Sequence, residues 1–85
     1  MKIHELKLNE NYVDAVLSGE KNFEVRYNDR GYQKGDKIRF TVVEGELALK
    51  AIVQPFEDKL YKITYVHSGL GLDKNFVVLG IKECK

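Results

Sequence analysis

The sequence predicts a mostly β (α+β) fold: a small β-barrel or strongly bent sheet of about six strands, with one helix after the first strand. Three observations carry that expectation. Apolar residues recur at every second position through most of the chain, which is the period of a strand. Turn chemistry built on Gly, Asn, Asp and Pro interrupts these runs at roughly 8- to 12-residue intervals. Only one stretch, around Tyr12, Val13, Val16 and Leu17, places its apolar side chains at helical spacing.

Lys2 to Leu8 reads as the first strand, with His4, Leu6 and Leu8 on one face. Asn9 is a good N-cap, and Glu10 places its charge in the first turn, where it suits the helix dipole. Gly19 closes the helix as a residue able to take positive φ. So short a helix does not persist alone and must pack on the sheet. Lys21 to Tyr27 is the second strand, with Phe23, Val25 and Tyr27 on one face and Glu24 and Arg26 on the other. Asn28-Asp29-Arg30-Gly31 and Gly35-Asp36 are turns, and Lys37 to Val43 is the third strand.

Glu44-Gly45-Glu46 is a tight hairpin connection into a fourth strand, Leu47 to Gln54, which Pro55 ends. Phe56 to Lys59 is a polar connection. Leu60 to His67 is the fifth strand, with Tyr61, Ile63, Tyr65 and His67 on one face. A Gly-bearing loop, Ser68 to Lys74, leads to a last strand, Asn75 to Lys82, apolar enough to be buried on both faces. Gly80 inside it signals a bulge or a close approach by another backbone. One domain, 1–85, accounts for the whole chain.

Charge and composition narrow the function classes. The net charge is +1, from 14 basic and 13 acidic residues, so no large basic surface exists for duplex nucleic acid, although a local patch is allowed. The single cysteine, Cys84, excludes an internal disulfide and a thiolate metal cage. The two histidines, His4 and His67, fall on different strands with no ligand spacing between them, so no metal site and no cofactor is expected. No apolar run approaches a membrane span and the N-terminus lacks a leader's apolar core, so a cytoplasmic location without membrane contact is expected.

The chemistry concentrates between Gly19 and Arg30, where Glu20, Lys21, Glu24, Arg26, Asp29 and Arg30 crowd into one strand and its flanks. Glu24 and Arg26, two residues apart, are about 6.5 to 7 Å apart along a strand. They form either a structural ion pair or a site in which Arg26 binds phosphate bidentately and Glu24 takes a base edge or a proton. Lys21 either complements the helix C-terminus or acts as a base. Strict alternation puts Lys21 and Glu24 on opposite faces, so they meet only if the strand starts late or bulges. Asn28, Arg30 and His4 are further ligand candidates, and Tyr27 and Tyr65 are candidate stacking platforms for unpaired bases.

Gly19-x-Lys21-x-x-Glu24-x-Arg26 resembles the G-x-K-x-x-E-x-R signature of ASCH domains, a branch of the PUA-like β-barrels. The flanks resemble a small phage and bacterial branch of unknown function: His4-Glu5-Leu6-Lys7, the Asn28-Asp29-Arg30 turn, Gly35-Asp36, Ile63-Thr64-Tyr65 and Asn75 to Leu79 follow in order. The resemblance implies a PUA-like/ASCH-like barrel that binds single-stranded RNA or a nucleotide in a cleft beside the helix. It also implies an alternative, a small amidohydrolase acting on a modified nucleoside such as N4-acylated cytidine, with Lys21 and Glu24 catalytic. Those hydrolases pair the lysine with a threonine three residues later and a carboxylate on a later strand. Here Glu24 stands in the threonine's place, and the later strand carries Thr64 and Tyr65 without an acid. A third reading is a protein-binding accessory domain whose motif is structural.

Overall fold

The first strand, β1 (Ile3–Asn9), ends where the Asn9 side chain turns to accept the Asn11 N–H at 2.9 Å. That cap starts a 3-10 turn (Glu10–Tyr12) and one short helix, α1 (Val13–Leu17), rather than a single helix from Asn9 to Ser18. Gly19 closes it at φ 82°, and the Lys21 N–H still donates to Ala15 O at 2.8 Å. This bond ties Lys21 to the helix end, so β2 (Phe23–Tyr27) starts two residues later than the sequence pattern suggests. The computed structural model describes residues 1–44, 50–52, 56 and 59–85; the expected Glu44-Gly45-Glu46 hairpin and most of the fourth strand fall outside the described residues.

The remaining strands are β3 (Lys37–Glu44), β4 (Lys50–Ile52), β5 (Tyr61–Ser68) and β6 (Phe76–Glu83). They form one mixed sheet with path β1-β3-β5-β6-β2, and β4 pairs with β3 off that path. β1 and β3 run parallel, His4 beside Ile38 and Leu6 beside Phe40, and the other pairs are antiparallel. The inner face carries Leu6, Leu8, Ile38, Phe40, Ile63 and Leu79, and Val16 of α1 packs onto this core. No helix among the described residues is long and apolar enough to cross a membrane.

Two expectations about faces are revised, and the sheet decides a third face that the sequence left open. β6 buries Val77, Leu79 and Ile81 but leaves Phe76 exposed, so only one of its faces is core. β5 changes phase at Thr64: Ile63 pairs with Ile81 and Tyr65 with Gly80, which makes Thr64 an extra residue in a bulge. Tyr61 and Ile63 therefore point inward while Tyr65 points out. In β2 the charged residue Glu24 is buried and the apolar face is outside: Phe23, Val25 and Tyr27 are all exposed. Period-2 alternation defines two faces without saying which is inside.

Gly80 lies opposite the bulge rather than in one, and its close neighbour is a side chain rather than a backbone: a Cβ placed there would lie 2.8 Å from Thr64 Oγ1, against 3.6 Å from Tyr65 N. Gly80→Ala should therefore cost about 1–3 kcal/mol in urea denaturation. Adding Thr64→Ala should recover most of that loss; an unchanged loss in the double variant would rule out the hydroxyl clash as its cause.

Candidate functional site

A carboxylate on a buried strand position must be paired or it will not stay ionised there. Glu24 is 3 % exposed, opposite Leu79 of β6, and both its oxygens are engaged. Lys21 Nζ donates to Oε2, and Arg26 Nη2 donates to Oε1 at 2.8 Å. Lys21 also donates to Phe23 O at 3.0 Å, and its ammonium lies 5.0 Å from the Tyr12 ring centre and 5.1 Å from that of Phe23. The late start of β2 is what brings this about. Residues 19–22 form the turn off the helix, so Lys21 is outside the pleat and folds back onto Glu24.

Arg26 also spans to the first strand, donating to Lys7 O at 2.6 Å, and Arg30 donates to Glu5 O at 3.2 Å. β1 and β2 are the two ends of the sheet path, and these arginine side chains link them. Between them lies a cleft of about 500 Å³ that contains Lys7, Lys21, Glu24 and Arg26, with Tyr12, Phe23 and Tyr27 at its sides. Three cations against one carboxylate leave the cleft positive. Arg26 has five N–H donors, and its recorded bonds use only Nη2, so Nε and Nη1 are left to meet a ligand. Tyr32, buried near this cluster, has its phenol pushed above its ordinary value of 10.0 by burial, with Arg26 and Arg30 pulling the other way.

The structure brings together Lys21, Glu24, Arg26 and Tyr27 of the sequence-derived candidates. Arg30 lies outside the cleft, with Asp29 Oδ1 3.8 Å away. Asn28 uses its backbone N–H in the turn, on Asn75 O at 2.7 Å. Tyr65 is on the outer face of the sheet, away from Glu24. Sequence reasoning missed Tyr12 and Lys7. Tyr12 matched the apolar helical stripe, yet it is half-exposed in the 3-10 turn, and only the odd-numbered phase of β1 pointed to Lys7.

His4 is placed inside, 2.8 Å from Asp36 Oδ2, with its ring 4.7 Å from that of Tyr32. Asp36 also accepts the Lys2 N–H at 3.2 Å and the Gln33 N–H at 3.1 Å, so it clamps the start of β1 to the turn before β3. Burial opposes its ionisation most strongly, but the bonds from His4, Lys2 and Gln33 outweigh burial and hold the carboxyl below its ordinary 3.8. The His4 candidate thus sits in a structural pair outside the cleft. Among the described residues no group of three or more His, Cys, Asp or Glu is arranged to hold a metal ion.

Two outcomes are expected. Because the Asp36 pKa is depressed on folding, its contribution is fully present above pH 3.8 and is lost as pH falls through the lower folded value. Asp36→Asn should flatten the stability–pH curve below about pH 4 in acid-denaturation measurements; an unchanged acid limb would exclude Asp36 from that role. Glu24→Ala leaves two cations facing an emptied site and should cost about 2–3 kcal/mol. A chemical-denaturation midpoint equal to wild type would show that the cluster contributes nothing to folding.

Comparison with known proteins gives a family and a likeness of fold. The model of a domain family of unknown function, DUF3850, matches residues 3–81, from the first strand to the last. An uncharacterized 12.9 kDa protein in the GpA 3′ region of Escherichia phage P2 is 51 % identical over 37 residues, 44 % of this chain and 34 % of that protein. The match thus spans about a third of the phage relative's length. The crystal structure of hypothetical protein PH0355 is similar at TM-score 0.60, covering 99 % of this chain and 100 % of that one at 19 % identity, a likeness of fold alone. With 79 of its 85 residues inside the match, this chain belongs to the DUF3850 family.

Proposed function

We propose that this chain is an ASCH-like, PUA-type domain that binds RNA or a nucleotide in the cleft between β1 and β2. The observation that carries the reading is the Lys21–Glu24–Arg26 cluster on the wall of an open, net-positive cleft flanked by aromatic rings. Arg26, held by Glu24 and Lys7 O, presents its remaining donors to a phosphate in a fixed orientation, which lowers the ordering cost of binding. Tyr12, Phe23 and Tyr27 offer planar surfaces to a base. A sheet whose ends are linked through Arg26 and Arg30 is consistent with a small PUA-like barrel having its ligand site at the join.

A second reading, an amide hydrolase acting on a modified nucleoside, is favoured by one contact. Lys21 donates directly to Glu24, as an acid–base pair requires. Turnover of N4-acetylcytidine by wild type and its loss in Lys21→Ala would establish it; no turnover by wild type excludes it for that substrate.

For the binding reading, uridine monophosphate titrated into labelled protein should shift the amides of Lys21 to Arg26, and Arg26→Ala should weaken binding by about tenfold. For a short single-stranded RNA held through two cations, the slope of log K against log salt should be roughly −1.4. Cleft amides that stay in place at saturating nucleotide would refute nucleotide binding there.

A further inference from the structure

The apolar face of β2 is one part of a larger exposed surface. In the antiparallel register Phe23 lies beside Gly80, Val25 beside Val78 and Tyr27 beside Phe76, and β5 adds Tyr65 next to Gly80 and His67 next to Val78. Five of these, Phe23, Val25, Tyr27, Tyr65 and Phe76, are 36–64 % exposed on one side of three adjacent strands. Four of the five are aromatic. Tyr27 and Phe76 meet edge to face, with ring centres 5.6 Å apart. Contiguous exposed apolar surface on a small domain marks an interaction site.

On the strand positions of this face the charge is of one sign, the exposed Asp29 and Asp73 lying in the turns at its far end. Lys62 and Lys82 lie directly opposite each other on β5 and β6, and no outward position of β2, β5 or β6 carries a carboxylate. Like charges facing across a sheet are unfavourable, and an anionic partner relieves that repulsion. At the same end a cavity of about 1100 Å³ opens beside Lys21, Lys82 and Lys85, where the acidic neighbour Glu83 is already held by Lys59 at 3.0 Å. The bulge and Gly80 let Thr64 lie against β6 at the cavity wall, leaving Tyr65 on the outer face. Phe23 lines both this cavity and the β1–β2 cleft, so the two recesses and the aromatic face are continuous.

We propose that this outward face binds an unpaired nucleic-acid strand. Its bases stack on Phe23, Tyr65, Tyr27 and Phe76, and its phosphates lie at Lys62 and Lys82. Flat π-faces combined with cations and no acids match a planar polyanion, and aromatic stacking of this kind tolerates any base sequence. The inference rests on the nucleotide reading of the cleft and extends it from one nucleotide to a strand several nucleotides long.

Octauridylate and uridine monophosphate, titrated separately into labelled protein, test it. Octauridylate should shift the amides of Tyr65, Phe76 and Val78, which the mononucleotide leaves in place. Tyr65→Ala should weaken octauridylate binding about tenfold. Lys62→Glu, which replaces a like-charge pair with an opposite one and so keeps the fold, should weaken it to a similar degree. Mononucleotide shifts in the cleft without octauridylate shifts on the face overturn this inference and leave the cleft reading standing. Face shifts without cleft shifts support it and overturn the cleft reading alone. A concentration-dependent dimer in sedimentation that buries these face residues without nucleic acid also overturns it, because the occupant would then be a second copy.

Discussion

The Glu24 carboxylate is the constraint on which the rest of this small domain turns. It is buried on a strand whose neighbour supplies only Leu79 and Val77 on that side, and Lys21 and Arg26 hold both its oxygens. Satisfying it determines three other features. Lys21 must fold back from the helix end, so the strand cannot start before Phe23. Arg26 must point inward, which puts its second bond on Lys7 O and links the ends of the sheet. Phe23, Val25 and Tyr27, the residues between the charges, are left facing out.

The same inversion connects folding to function. A strand that put its hydrophobic residues inside would bury three apolar side chains and leave Glu24 and Arg26 as an ordinary surface pair worth little. This one orders the two cations against a cleft and leaves an aromatic surface uncovered. The observed arrangement forgoes that apolar burial, a considerable sacrifice for a chain of 85 residues with a small core.

A second buried pair, His4 with Asp36, does structural work at the opposite end of β1. Asp36 collects two backbone N–H groups and the imidazole, fastening the N-terminal strand to the turn that starts β3. The two charged clusters thus divide the roles. Asp36 is enclosed and all its recorded bonds are to the fold, whereas the Glu24 cluster opens on solvent with guanidinium donors to spare.

The sequence by itself determined the order of elements, the Asn9 cap, the Gly19 helix end, the tightness at Gly80 and the concentration of chemistry between Gly19 and Arg30. Each of these depends on local backbone preference or on side chains a few residues apart. Tertiary structure decided which face of β2 is inside, where β5 changes phase and which candidates meet. Alternation has period two, so one strand reads equally well with either face buried, and only its pairing with β6 and the Arg26 bond to β1 break the tie. The Thr64 bulge shifts Tyr65 outward through a pairing that no local signal on β5 records, and His4 became structural through Asp36, 32 residues away. The G-x-K-x-x-E-x-R stretch named the residues of the cleft. Only the folded sheet placed Lys7 and Tyr12 beside them, because they reach the site across the gap between two strands that do not pair.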